Sequence, residues 1–503
     1  MQRIRWLMVV VLVAVLGAVH AEPLSFVLDT VDNRADEVQA IAAQLQELGI
    51  DVQVRVWQSS VLREEMVAGN RAASTSDWGS AYFDPFDLAV PKFGTAARGN
   101  YSFYSSPDVD AAFVIASTTI DDASRDAAYK DAQRLIFEDA PWIFAYVLQN
   151  IEAASTSVQG WAPAADNSES MHDVWVEGSD SLVLAMRTNA LITFDPAMYR
   201  DRETEAVLRN IFDSLTFPTR EGQVQPHLAT AWRVIDDVTF EFDLVEGVTF
   251  SNGEPLTADD VVFTFERILT EGAVGGATSP RSGLLGPLDH VEKVDDATVR
   301  FVYETTFPQE LLLQALTHFQ IVPQDYVAEV GDAGFAEAPI GSGPFTFVRG
   351  TLDSQVVLEA NGSYWKGAPR LQTLVFRMMP EASTRIAALL SGEVHIIQAV
   401  PPDLVDRLSG VPGVQVYTAP GTRSYQIELN NAKAPFDDAR VRQAINYAID
   451  WDSILTNIYR GYADRLATGF LPSGFGYDES LAPYPYDPEK AKELLREAGY
   501  DVR

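Results

Sequence analysis

The stretch DPEKAKELLREAGYDVR (Asp487–Arg503) reads as one complete helix followed by a short tail. Asp487 can accept from the free amides of the first turn, Pro488 tolerates the position where no amide partner is needed, and Gly499 suits a left-handed stop. Ala491, Leu494, Leu495 and Ala498 fall on one face, which needs apolar cover. A partner is available near the opposite end of the chain. Leu24, Phe26 and Leu28 alternate as a half-buried strand. A helix follows with Val38, Ile41, Ala42 and Leu45 on one side and Gly49 at its end, and Val52, Val54 and Val56 alternate as a second strand. This strand–helix–strand unit lacks the element that should precede it. The expectation is a circularly permuted chain whose two ends lie side by side in one lobe. A piece of a tandem or rearranged gene is the alternative.

The chain has 503 residues, too many for one core, so two or three lobes are expected. It is 47% apolar and 21% charged, with a net charge of −34. That charge opposes nucleic acid and anionic membranes as partners. Arg3 and Arg5 precede an apolar run from Leu7 to Val19, and Val19-His20-Ala21 places small residues at a cleavage site. Residues 1–21 read as a secretory signal peptide, with an uncleaved anchor as the alternative. There is no cysteine, which removes disulfides, thiolate chemistry and a lipidated mature terminus. A protein released into the periplasm is expected.

Strands and helices alternate along most of the length. Arg125 to Glu138 reads as a helix, followed by a strand from Trp142 to Val147. Ser181 to Met186 starts a fresh strand after a polar connection. Val238, Phe240, Phe242 and Leu244 alternate, with Val248 to Phe250 as the expected return strand. Thr257 caps a helix with Asp260 in a box-like arrangement, and Val261, Val262, Phe265 and Ile268 form its buried face. Further helices are expected over Glu381 to Leu390 and Asp438 to Ile449. The class is α/β with mixed sheets.

The six histidines form no metal-ligand spacing, and neither a nucleophile elbow nor a phosphate loop occurs. No catalytic, metal or cofactor site is expected, so the chain reads as no enzyme. Aromatics are more informative: Trp78, Tyr82 and Phe83 cluster in DWGSAYFDPFD, as a ligand cleft would need. A loop anchored in the core by its rings is the alternative.

FSNGEPLTADDVVFTFERI (Phe250 to Ile268) resembles the signature of family 5 extracellular solute-binding proteins, the peptide, nickel and related receptors of ABC importers. HLATAWRV (227–234), GSGPF (341–345), YWKGAP (364–369), STRIAALLSGEVHII (383–397) and APFDDARVRQAINYAID (434–450) follow in that family's order. Segments resembling the family's late part, GNYSFYSSPDVDAAF (99–113) and YKDAQRLIFEDAPWIFAY (129–146), stand instead near the front. The resemblance implies a two-lobed periplasmic binding protein fold with a hinge. Lobe two would comprise residues 22–145 and 430–503. Lobe one would run from 146 to 429, with an extra subdomain at about 205–340. The crossings would lie near Trp142–Tyr146 and Tyr425–Asn431.

By the same resemblance the protein would be a monomeric receptor that closes on a peptide or small solute and delivers it to permease subunits of an ABC importer. A secreted hydrolase and a degenerate receptor inactive in transport are the alternatives. Backbone groups and aromatic walls would bind the ligand, with few charged contacts. Trp78, Gly79, Ser80, Tyr82 and Asp84 would line the cleft from one side. Tyr199 and Arg200 would enter from the other, and Arg423, Tyr425 and Asn430 would stand beside the hinge. Tyr425 reads equally as a buried strand aromatic, and Arg200 and Arg423 as surface ion-pair members. Peptide-binding relatives place an aspartate three residues after this tryptophan to pair with the ligand amine; here the position is Ala81. A modified peptide or another peptide-sized polar solute is therefore expected, with nickel chelates, sugars and opines open.

Overall fold

The computed structural model describes residues 22–79, 84–164, 170–220, 222–472 and 474–502. The expected signal peptide lies outside the described residues.

A six-stranded sheet organises one lobe. Its order is Asp51–Trp57, Ser25–Val31, Ala73–Gly79, Arg423–Leu429, Trp142–Leu148, Ala463–Arg465. The first three strands run parallel, and Arg423–Leu429 runs antiparallel to both its neighbours. The helix Ala35–Glu47 returns the chain between the first two strands, and its Val38, Ile41, Ala42 and Leu45 are buried, as the 3.6-residue period requires. Val52 is buried whereas Val56 is 52% exposed. That strand is at the sheet edge, so its alternation is only partly covered.

The helix Pro488–Glu497 starts where its caps predict: Asp487 accepts from the Lys490 amide at 2.9 Å, and Gly499 adopts φ +95°. It packs on the helix Ala439–Ala448. Ala491, Leu494 and Leu495 join Leu24, Phe26, Leu28 and Val38 in one core. Pro23 and Asp501 form a parallel bridge, and the Asp501 amide donates to the Glu22 carbonyl at 3.2 Å.

The other lobe is built on a seven-stranded sheet, ordered Phe345–Gly350, Gln355–Ala360, Thr373–Met378, Ser181–Met186, Ile396–Ile397, Asn150–Ser155, Val414–Ala419. A separate antiparallel sheet of four strands (Ala229–Asp236, Thr239–Leu244, Thr298–Tyr303, Leu288–Asp295) carries the helix Ala258–Leu269 on its inner face. Thr257 and Asp260 form the capping box. Val262 is only half-buried, while Arg267 is buried through an ion pair with Asp195 at 2.8 Å. The return strand expected at Val248–Phe250 does not form. Both edges of Thr239–Leu244 are already taken, so residues 248–256 make a turn with one bridge, Thr249 to Pro255.

Gly341 and Gly343 have a purely steric role. A Cβ on Gly341 would sit 2.1 Å from the Ile211 carbonyl oxygen, and Gly343 donates to that oxygen at 2.9 Å. Only a bare backbone packs this closely.

The chain passes between the six-stranded and seven-stranded sheets twice, between Leu148 and Asn150 and between Ala419 and Arg423. Both crossings therefore miss the expected boundaries at 145/146 and 429/430. The strands at the junction keep pairing until the backbone bends, so Tyr146–Leu148 and Arg423–Leu429 remain with the six-stranded sheet. The crossings touch at Gly421, whose Cβ would lie 2.0 Å from the Leu148 carbonyl oxygen. Among the described residues no helix is long and apolar enough to cross a membrane.

Candidate functional site

Where the crossings meet, the lobes enclose a cleft of about 760 Å³. Its floor is the crossing segments around Leu148–Glu152 and Gly421–Tyr425. Trp78, Gly79, Asp87 and Arg98 form one wall; Arg187, Arg200–Glu203, Arg281 and His318 form the other.

Trp78 stands at the end of the strand Ala73–Gly79. Its indole Nε1 donates to the Asp87 carbonyl at 2.9 Å, and the Lys92 and Arg98 cations each lie 5.0 Å from its ring. Lys92 is fully buried and pairs with Glu428, which fixes the wall behind the ring. Gly79 is paired across the ladder with Arg423, whose Nη2 would be 3.1 Å from a Cβ there; the missing side chain lets the guanidinium lie over the strand end and pair with Asp77. Tyr425 is half-buried and stacks on Tyr146 at 5.2 Å and 15°, with Arg34 5.5 Å from its ring. Burial, followed by the Asp77 charge, raises its phenol. It is both a strand aromatic and a cleft residue.

Arg200 spans the two lobes. Its guanidinium lies 3.5 Å from Asp87 of the opposite wall and 3.5 Å from the Pro280 carbonyl. Phe86, next to Asp87, meets Phe307 of the small-sheet region edge-on at 5.9 Å. The lobes are thus in contact across the cleft mouth.

Three expected ligand contacts belong to the interior instead. Asp84 is 5% exposed, and its carboxylate accepts from Arg125 at 2.6 Å, the Tyr129 hydroxyl at 3.0 Å and the Phe86 amide at 2.9 Å. Its valences are occupied by the fold. Tyr199 is 1% exposed; its hydroxyl donates to Gln320 at 3.1 Å beneath Arg281. Asn430 is buried at the far end of its strand from Arg423, donating to the Gly69 and Arg71 carbonyls. Ser80, Ala81 and Tyr82 lie outside the described residues.

The cleft is also far more charged than expected. Seven arginines line it, against five carboxylates. Glu203 pairs with Arg187 at 2.9 Å; burial would raise its carboxyl, but the guanidinium outweighs this and holds it below the usual range. Glu205 is buried between His318 at 2.6 Å and Arg209 at 2.8 Å, and these partners likewise overcome burial and lower it. Asp201 caps the helix Arg202–Leu208 through the Thr204 amide at 2.7 Å, and burial raises it. The run Arg200-Asp201-Arg202-Glu203 is conspicuous in the sequence, but such density also describes a solvated helix start. Asp87, Arg98, Arg281 and His318 carry no local signal at all. Among the described residues no group of three or more histidines or carboxylates is placed to hold a metal ion.

The chain is 33% identical over 344 residues to heme-binding protein A of Haemophilus influenzae, covering 64% of this chain and 62% of that protein. It is 33% identical over 328 residues to the dipeptide-binding protein of Escherichia coli, with 61% of each chain covered. The chain thus spans about three-fifths of the length of the curated relatives it matches. Among solved structures, the ABC transporter-associated periplasmic binding protein DppA of Helicobacter pylori, in complex with the peptide STSA, matches with a TM-score of 0.53 at 29% identity. That match covers 64% of this chain and 66% of that one. HbpA2 of Haemophilus parasuis matches with a TM-score of 0.54 at 28% identity, covering 64% and 67%. The fold is that of the two-lobed periplasmic binding proteins. The model of bacterial extracellular solute-binding proteins, family 5 Middle, matches residues 223–503, more than half of the chain, and the chain belongs to that family.

Proposed function

We propose that the protein is a periplasmic receptor that captures a peptide-sized polar solute between its lobes and hands it to an ABC importer. The observation that carries this reading is the cleft of about 760 Å³ at the junction of two sheets joined by two crossings. That volume lies within the range of small-molecule sites, roughly 300–1,000 Å³. Paired crossings suit hinge closure, and closure is driven only by a ligand that binds the closed form better. The names of the relatives, which bind dipeptides, heme or peptides, support the solute class. Beyond Ser74 the strand Ala73–Gly79 is no longer laddered to Ser25–Val31, which leaves backbone groups beside Trp78 for an extended ligand. Trp78, Gly79, Arg200, Arg423 and Tyr425 are the ligand-binding residues of this reading, with Ser80 and Tyr82 following on in sequence. The apolar run Leu7–Val19 serves as the cleavable export signal.

A thermal-shift screen of residues 22–503 against peptides and polar metabolites tests the proposal. A ligand at one hundred times its Kd adds about 2.7 kcal/mol. Failure of every compound, with no small molecule released from denatured protein in mass spectrometry, refutes it. Turnover of a screened compound favours the hydrolase.

We infer further that the chain order is a circular permutation of the family's. The bridge between Pro23 and Asp501 and the core shared by Leu495 and Phe26 support it. Joining Arg503 to Glu22 and reopening the chain at the exposed turn 177–180 should give a protein that folds and melts as the original does. Failure of that protein to fold counts against the inference.

A further inference from the structure

We propose that the cleft selects a solute bearing two or more carboxylates and that it needs no free amine on that solute. This deepens the receptor reading and rests on it. The molecule carries a net charge of −34, yet its cleft gathers seven arginines and no lysine. The guanidinium fork matches a carboxylate bidentately, which a lysine ammonium does not.

Four of the five carboxylates that line the cleft are committed to the fold, and the fifth, Glu152, is buried in the strand Asn150–Ser155. Asp87 alone faces two guanidinium groups, Arg98 at 2.9 Å and Arg200 at 3.5 Å. Glu203 serves Arg187, Glu205 serves Arg209 and His318, and Asp201 holds a helix start. Asp77, outside the lining, serves Arg423. Arg281 is the decisive residue. It is 2% exposed, lines the cleft, and donates to two backbone carbonyls, those of Tyr199 at 3.2 Å and of His318. Among the described residues its Nε has no hydrogen-bond partner and no carboxylate lies within ion-pair distance, although the Glu205 carboxylate acts on it through space. A buried cation whose direct hydrogen-bond partners are all neutral is costly unless something completes it. A ligand carboxylate within reach of Arg281 and Arg200 would do so, and low-dielectric walls would focus the field upon it. The family resemblance implies an aspartate for the ligand amine at position 81, and the sequence has Ala there.

Titration calorimetry of residues 22–503 tests this with four probes: glutamyl-glutamate, its N-acetyl derivative, alanyl-alanine and lysyl-lysine. The acidic peptide should bind about tenfold or more tightly than alanyl-alanine, with acetylation changing its affinity less than about threefold and added salt weakening it. Arg200→Gln, at a partly exposed position, should lower acidic-peptide affinity about tenfold and alanyl-alanine affinity by a smaller factor. Binding of alanyl-alanine or lysyl-lysine as tight as that of the acidic peptide, or loss of binding on acetylation, overturns this inference and leaves the receptor reading standing. Binding of none of the four probes overturns this inference, and the receptor reading falls with it only if the thermal-shift screen and the mass spectrometry of denatured protein are also empty.

Discussion

Replacing Leu495 by alanine examines how the two ends of the chain are held together. Leu495 is 0% exposed on the helix Pro488–Glu497, and its core includes Phe26 and Leu28 from the first strand, Leu24 just before it, Val38 and Ile41 from the first helix, and Ile445 from Ala439–Ala448. Three distant stretches of sequence meet there, so the hole left by the lost side chain cannot close by movement of one segment. Leu→Ala at such a site costs about 2–5 kcal/mol, the transfer of the removed atoms plus the residual cavity. Set against a typical total of about 5–15 kcal/mol, this is a large share. Urea unfolding followed by tryptophan fluorescence reads it well, because Trp451 belongs to the same core. Amide exchange should then show lost protection in Ser25–Val31 as well as in the last helix. Leu285→Ala, in the core of the small sheet, is the control and should leave those amides protected. A loss below about 1 kcal/mol, or exchange confined to residues 488–497, refutes the reasoning that these ends share one cooperative core.

Other substitutions probe separate parts of the molecule. Asp84→Asn removes the buried counter-charge of the fully buried Arg125, leaving only the more exposed Asp122 at 3.3 Å, and should cost about 3–5 kcal/mol in denaturant unfolding; a change under about 1 kcal/mol would show that the pair is dispensable. Glu37 is buried, which alone would raise its carboxyl, but Arg34 at 2.6 Å and the Tyr146 and Tyr459 hydroxyls overcome this and hold it below the usual range. The unfolded chain therefore takes up this proton first, so the contribution is complete at neutral pH. It fades as pH falls from the ordinary carboxylate value of about 4.3 through the lower folded value. Glu37→Gln should flatten the decline of Tm between those limits, and equal slopes in both proteins would disprove the assignment. Gly341→Ala drives a methyl into the Ile211 carbonyl and should lower stability by about 1–3 kcal/mol in the same urea assay, with an unchanged midpoint as the contrary result.

Much of the local structure is legible in the chain. Asp487, Pro488 and Gly499 delimit a helix through hydrogen bonds reaching only three or four residues, so the sequence contains the whole cause. The same holds for the Thr257–Asp260 box and for the buried stripe of Ala35–Glu47. The motif FSNGEPLTADDVVFTFERI points to the family because its turn, cap and apolar face follow one another without interruption. Strand alternation was less reliable. Val56 alternates correctly yet is exposed, and Val248–Phe250 alternates with no free edge to join.

The cleft was the least legible part, and the reason is separation along the chain. Asp87 and Arg200 approach across 113 residues, and Arg34 reaches the Gln426 carbonyl across 392. No window of sequence shows whether a polar residue will find such a partner. Trp78 and Arg423 were expected at the cleft through the family resemblance, not through any strand read in the sequence. Whether Asp84 would turn inward to Arg125, and whether Tyr199 would lie beneath Arg281, depended on which elements pack above them. Helix ends, turns and apolar faces were therefore determined by the sequence alone, through interactions between near neighbours. The gathering of arginines around one cavity was decided only by tertiary packing, because each charge settles according to the field and burial that distant segments create.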